Sequence, residues 1–492
     1  MILHLARITS ERRKHRPMSE NENYKLFING AWRLGGDGED LPLLNPATAQ
    51  QFGRVAVATA SDLKDVLSSA QASLQRWSST PARERGALLL RAAEILKGKV
   101  EVAAAALSRE QGKMLADAKG EYTRAIETVE WNGIHAEKVS ASFPIDQNRM
   151  IVPEAIGVVA AFTPWNYPAV LSARKVAPAL TAGCPVILKA AEETPSAGVY
   201  LVEALEEAGI PPGVVSLVFG NPPMISEHLL SSPVVRVLSF TGSTPVGKQL
   251  ARIAANNLQR CVLELGGHSP VVVFEDTDVA RAVSAVSEYK FKFAGQACNA
   301  PSRILVARSI YRDFLVRLVQ TVERIKIGLP DDPETGMGPM ANARRLEAME
   351  RLMNDAVARG ASVETGGERL DRPGFYWKPT ILSNVHPDSR VLHEEPFGPI
   401  LTVAPFDTIE EAIEEANATE YGLASYVFSD SPDIQQRMIR SLSTGAVSVN
   451  FLKGVSADAP LGGIKQSGYG YEGGIEGVRA FQNLKLVNSA NV

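Results

Sequence analysis

The chain has 492 residues but only three cysteines, Cys184, Cys261 and Cys298. So odd and sparse a set argues against a disulfide framework and fits a reducing, cytoplasmic setting. No Cys-x-x-Cys pair and no His-Glu-x-x-His occurs, so a zinc site has no support and no metal is expected. A strong charge of one sign is also missing. The net charge is −4 and no basic block interrupts the body of the chain, so no nucleic-acid partner is expected. No apolar run approaches the ~18 residues that a membrane-spanning helix needs, so no membrane association is expected. Internal repeats and low-complexity tracts are absent.

What is present is an ordinary globular composition, 45% hydrophobic and 22% charged, at a length that one core seldom serves. The first 17 residues are an exception, with Arg7, Arg12, Arg13, Lys14 and Arg16 against the single acid Glu11. They lack the apolar stretch and cleavage site of a secretory signal. Residues 1–19 read as a disordered tail, or as a start assigned too early with Met18 as the true beginning, with a short organelle presequence as the alternative.

From about residue 150 the chain alternates short β-rich runs with Ala- and Leu-rich helical stretches. The runs are 157–162, 185–189, 214–219, 235–240 and 261–265, and two of the helices fall at 197–208 and 246–257. This pattern predicts a parallel sheet covered on both faces. Residues 60–115 read as amphipathic helix, and 27–30 as a turn leaving a strand. A second alternating block begins with the run 271–274 and continues through helices at 278–293, 311–324 and 341–359. Residues 370–395 read as loops, and the glycine-dense 465–474 as a turn or loop. The run 483–487 is a strand with no obvious local partner, a pattern often completed by another subunit.

Several residues invite a chemical reading. Cys298, in Phe-Ala-Gly-Gln-Ala-Cys-Asn, has small and polar neighbours that admit a substrate, and backbone amides at such a turn lower a thiol pKa. A lone cysteine is otherwise a small buried hydrophobe, as Cys184 and Cys261 beside apolar strands are taken to be. Glu264, in Leu-Glu-Leu-Gly-Gly, lies in an apolar strand, and burial raises a carboxyl toward the range of a general base. A strand-end glutamate capped by the next turn is the alternative. Asn166, in Thr-Pro-Trp-Asn-Tyr-Pro, sits at a strand end where its amide can donate to an oxyanion, or serve only turn geometry. Gly242 and Ser243 open a helix after a strand, which suits the approach of phosphates. Lys189 and Glu192 follow another strand. An acid there accepts from ribose hydroxyls and repels a 2′-phosphate, which favours NAD over NADP. A solvated helix start explains the acid equally well.

Together and in this order, the segments Pro-Trp-Asn-Tyr-Pro, Ile187–Pro195, Ser239–Gly247, Leu263–Gly267, Gly295–Cys298, Glu394–Ile400, Tyr421–Phe428 and Leu461–Gly470 resemble the aldehyde dehydrogenase superfamily, from about Phe27 to Lys485. The resemblance implies an α/β fold with a Rossmann-like NAD domain (20–136 and 157–265), an α/β catalytic domain (266–465) and a β-strand oligomerisation arm (137–156 and 481–492) that builds a homodimer or homotetramer. It implies that Cys298 attacks an aldehyde to give a thiohemiacetal, that Asn166 and the Cys298 N–H hold the oxyanion, and that Glu264 activates the water that hydrolyses a thioester. Lys175 joins them in the catalytic set. Thr163, Pro164, Trp165, Lys189, Glu192, Gly220, Thr241, Gly242, Ser243, Val246, Leu265, Glu395 and Phe397 are implied as contacts of NAD. The sequence departs from the family pattern at Phe293, Ala190 and Leu461, where Asn, Pro and Phe are usual. Because the CoA-acylating branch typically lacks the glutamate, Glu264 favours a free acid as product.

The sequence is most similar to the succinate-semialdehyde dehydrogenase subgroup. There an arginine matching Arg174, a cation matching Lys292 and a serine matching Ser456 bind the substrate carboxylate. Two cations and a hydroxyl favour an aldehyde with a distal carboxylate, although Lys is the weaker bidentate partner and both cations could instead make structural ion pairs. The expected substrate is succinate semialdehyde or a longer or aryl relative. A broad-range or aromatic aldehyde dehydrogenase is the alternative, and a non-catalytic protein using the fold is the alternative of another class.

Overall fold

The computed structural model describes residues 22–452 and 456–489. The expectation for residues 1–19 lies outside them. No helix among the described residues is long and apolar enough to cross a membrane.

The β-rich runs form an eight-stranded sheet. Its order is Gly468–Tyr469, Arg260–Glu264, Val235–Thr241, Val158–Phe162, Val186–Lys189, Val215–Val218, Leu26–Ile28 and Ala31–Arg33. The five strands from Arg260–Glu264 to Val215–Val218 run parallel. Strands such as Val158–Phe162 and Val186–Lys189 are buried along their whole length, as continuous apolar runs under two helical layers require. Helices Pro168–Ala182, Pro195–Ala208 and Pro222–Leu230 each open on proline, where the missing N–H costs nothing.

A second sheet has seven strands, in the order Ser362–Thr365, Thr380–Ser383, Ile400–Phe406, Arg303–Ala307, Pro270–Val273, Ala424–Phe428 and Ala446–Val449. All pairs are parallel except that of the edge strand Ser362–Thr365. The sheets have separate apolar cores, so the chain solves its size problem with more than one core.

Four stretches differ from the sequence reading. The helical region at 60–115 is two helices, Ala60–Ser79 and Ala82–Gln111, and a third, Leu115–Ser140, follows. The stretch 370–395 contains the interior strand Thr380–Ser383, whose short apolar core is masked in sequence by flanking Pro and Asp. Residues 465–474 include a strand, Gly468–Tyr469, that pairs antiparallel with the end of Arg260–Glu264. The terminal strand Gln482–Asn488 does have a partner within the chain. It pairs antiparallel with Arg149–Ala155 over its full length. With Phe143–Pro144 these make a three-stranded arm that exposes Leu484, Leu486, Met150, Phe143 and Ile145.

Candidate active site

The carboxyl ends of the first sheet's strands and the turn before Arg303–Ala307 face one cavity of about 1080 Å³. This is where ligands bind in open parallel sheets. Cys298, Glu264 and Asn166 all line it.

The helix Val279–Phe291 ends, and Phe293, Ala294 and Gly295 then take left-handed φ angles of 49°, 49° and 69°. Such a turn is strained for a bulky residue like Phe293. Tertiary contacts hold it. Phe293 meets Trp165 and Tyr167 edge-on, with the Lys113 ammonium 4.5 Å from its ring centre. A Cβ at Gly295 would lie 2.3 Å from the Gly398 carbonyl, so only glycine passes there. The chain then delivers Cys298, partly exposed, to the cavity floor. Its thiol is pushed well above the ordinary range by burial, and further by Glu264 and Glu395. The backbone amides of Cys298 and Asn299 pull the other way, as expected of the turn, but do not prevail.

The glycines after Glu264 explain their own presence. A Cβ at Gly266 would lie 2.7 Å from Glu395 Oε2, and one at Gly267 would lie 2.2 Å from the Cys298 carbonyl. The pair lets the base strand, the nucleophile turn and the Glu395 loop meet. Glu264 is buried at its strand end and accepts from Thr241 Oγ1 at 3.2 Å. Burial and then Glu472 push its carboxyl up to about 7, against the pull of Lys175, Arg174 and Thr241. A carboxylate so placed is half ionised near neutrality, which suits proton abstraction.

Asn166 is buried, and its amide nitrogen donates to the Gln296 carbonyl at 3.1 Å. Its side-chain oxygen is buried without a partner. The peptide is held from behind. Lys113 Nζ donates to the Asn166 carbonyl at 2.8 Å, and Gln111 Nε2 does so at 3.2 Å. Lys113 is itself paired with Glu121, and Glu121 accepts from Ala169 N at 2.8 Å at the start of the next helix. This buried pair ties helix Leu115–Ser140 to the Asn166 loop. Sequence inspection missed it because each partner alone reads as a helix-surface charge.

Lys175 lies beneath the cavity rather than on it. Its ammonium is buried, paired with Glu472 and 3.4 Å from Ser239 Oγ. Glu472, also missed, comes from the glycine-dense segment 297 residues away. Arg174 lines the cavity, and its Nη2 donates to the Ser456 carbonyl at 2.8 Å while Nη1 is buried without a partner. Ser456 thus contributes its backbone to Arg174, and it is not a lining residue. Lys292 lines the cavity but is paired with Asp117 at 2.7 Å.

Of the nucleotide candidates, Pro164, Trp165, Thr241, Gly242, Ser243, Leu265, Glu395 and Phe397 line the cavity. Thr163, Lys189, Glu192, Gly220 and Val246 are not among its lining residues. Lys189 and Glu192 pair at 2.6 Å, and Glu192 accepts from Gly220 N at 2.9 Å, so an acid and a base stand together past the strand end. Glu395 accepts from Gly267 N at 3.1 Å, and burial lifts it to about 7 against Gly267, Arg345 and Lys290. Arg345, unforeseen, donates to the Pro396 and Phe397 carbonyls at 2.6 and 3.1 Å and fixes that loop. The result is a cleft with small residues at the start of helix Thr244–Ala255, an aromatic pair (Trp165 edge-on to Phe397 at 5.5 Å) and carboxylates spaced along it. This donor and acceptor set fits a dinucleotide. No group of His, Cys, Asp and Glu among the described residues can hold a metal ion.

Residues 32–487 match the aldehyde dehydrogenase family. A putative 4-(hydroxymethyl)benzenesulfonate dehydrogenase of Comamonas testosteroni is 42% identical over 94% of this chain and 98% of its own length. A mitochondrial succinate-semialdehyde dehydrogenase of Oryza sativa is 35% identical over 95% of this chain and 89% of its own. The solved structure of a betaine aldehyde dehydrogenase from Staphylococcus aureus, in complex with NAD+, superposes with a TM-score of 0.92 at 33% identity, covering 95% of each chain.

Proposed function

The chain belongs to the aldehyde dehydrogenase family, and from that premise we propose that it oxidises an aldehyde bearing a distal anion to the free acid, with NAD as oxidant. The observation that carries the reading is the convergence of Cys298, Asn166, Glu264 and the half-engaged Arg174 on one cavity. Cys298 gives up its thiol proton to water in the cavity as Sγ adds to the carbonyl carbon. The Asn166 amide and the Cys298 N–H donate to the oxygen as it becomes anionic, a contribution largest where water is excluded. NAD, when bound, supplies the hydride acceptor that turns the adduct into a thioester. Glu264 then takes a proton from the attacking water, and the Lys175–Glu472 pair behind it adjusts its charge. Glu395 and the Lys189–Glu192 pair are the residues to hold the two riboses, and an acid at the adenosine end disfavours a 2′-phosphate.

Two relatives act, by their names, on a benzenesulfonate and on succinate semialdehyde. Both compounds carry an anion remote from the reacting carbon. Arg174, with Nη1 unpartnered beside the cavity, supports the same class here. The exposed apolar arm supports assembly into a homodimer or homotetramer.

The test is NAD(P)H formation from succinate semialdehyde, aromatic aldehydes and neutral aliphatic aldehydes. The expected result is higher kcat/KM for anionic aldehydes, preference for NAD, and a smaller anionic preference in Arg174→Ala. Equal kcat/KM for neutral and anionic aldehydes would refute the substrate reading, and a clear preference for NADP would refute the reading of Glu192.

A further inference from the structure

We propose that Arg124, on helix Leu115–Ser140, is the docking point for the substrate's distal anion, and that the favoured substrates are aryl aldehydes carrying a carboxylate or sulfonate. The inference rests on the anionic-aldehyde reading and deepens it. Three cations line the substrate side of the cavity: Arg124, Arg174 and Lys292. Lys292 is already neutralised by Asp117 at 2.7 Å. Arg174 has one nitrogen committed to Ser456, and its charge bears on Glu264 at the chemical end. Arg124 is different. Its guanidinium has no carboxylate or carbonyl partner among the described residues, and it is partly exposed at the cavity wall. An arginine left free beside a partly apolar cavity has all its N–H groups available for a planar, bidentate anion.

The position relative to the nucleophile follows from Tyr289. Its hydroxyl accepts from Asn299 Nδ2 at 2.9 Å, one residue past Cys298. Burial raises this phenol, the neighbouring Cys298 raises it further, and Arg124 opposes them, so Tyr289 lies within the fields of both. The Tyr167 phenol, which lines the same cavity, also feels Arg124. The cavity that Cys298 and the free guanidinium share is walled in part by Tyr167 and Tyr289, with Val170, Leu171 and Phe451 adding apolar surface. A flat, rigid spacer fills such a passage at low entropic cost. The exposed Glu288, beside Tyr289, is the carboxylate this side also presents, so an anion there depends the more on Arg124.

The experiment compares 4-formylbenzoate, 4-formylbenzenesulfonate and benzaldehyde on wild type, Arg124→Ala and Arg124→Lys in the intact NAD-supplied enzyme. Loss of a charge-assisted contact predicts a fall of at least about tenfold in kcat/KM for both anionic aldehydes, carried by KM. Benzaldehyde should change less than about twofold, and Arg124→Lys should recover part of the loss. The ratio between the two anionic substrates identifies which acid group the site prefers. If wild type retains an anionic preference that Arg124→Ala leaves intact, or if benzaldehyde falls equally, the docking assignment is wrong. If wild type treats all three alike, the anionic-aldehyde reading fails with it.

Discussion

Replacing Glu264 by Gln should destroy turnover and yet stabilise the protein, by an amount that depends on pH. The carboxyl ordinarily titrates at 4.5 and stands at about 7 in the folded chain, because burial and Glu472 disfavour its charge. At about 1.4 kcal/mol per unit, holding it ionised costs the native state about 3 kcal/mol. The folded value lies above the unfolded one. Below about 4.5 both states are protonated and the penalty is absent. It grows as pH rises toward 7 and is complete above that. Glutamine does not titrate, and its oxygen can still accept from Thr241. The unfolding midpoints of wild type and Glu264→Gln should therefore lie closest near pH 5 and separate to a difference worth about 3 kcal/mol by pH 8. Over the same range, wild-type turnover of the thioester should rise with pH to a plateau above about 7. The variant should give one burst of NADH per site and then stop. A stability difference of the same size at pH 5 and pH 8 would refute the account of Glu264 as a buried base with a raised pKa.

Asn166→Ala removes the side-chain donor to the oxyanion and should lower kcat by about 10²–10³ with little change in KM, as read by steady-state kinetics. Lys113→Met leaves the buried Glu121 without its partner. It should cost about 3–5 kcal/mol in denaturant unfolding, and it should also lower kcat because the Asn166 peptide loses a brace. A variant that is destabilised but has wild-type kcat would show the brace to be structural only. Leu486→Glu places a charge on the exposed face of the arm strand and should reduce the solution mass by light scattering without altering the cofactor cleft.

The features that could be read from the sequence are local. The parallel sheet was legible because strands buried on both faces are continuous apolar runs. The Leu-Glu-Leu-Gly-Gly segment was legible because a glutamate is out of place in such a run. The terminal strand was legible as a strand, but its pairing with Arg149–Ala155 was not, since periodicity carries no address. Charges were the hardest to place. Lys292 had the residue type and spacing of an anion-binding cation, yet folding put Asp117 beside it. Arg124 had the residue type but no motif to mark it, and folding left it free at the cavity wall.

By itself, then, the sequence determined most of the strands and helices, and which chemical groups stand at strand ends, because those depend largely on neighbours a few residues away. Tertiary structure alone decided which charges are cancelled and which stay available. It joined Lys175 to Glu472 across 297 residues. It joined Lys113 to Glu121 beneath the Asn166 peptide. It also raised Glu264 to about 7 by burying it. The strength of a charge depends on its partner and on its distance from water, and both are fixed only when distant segments pack.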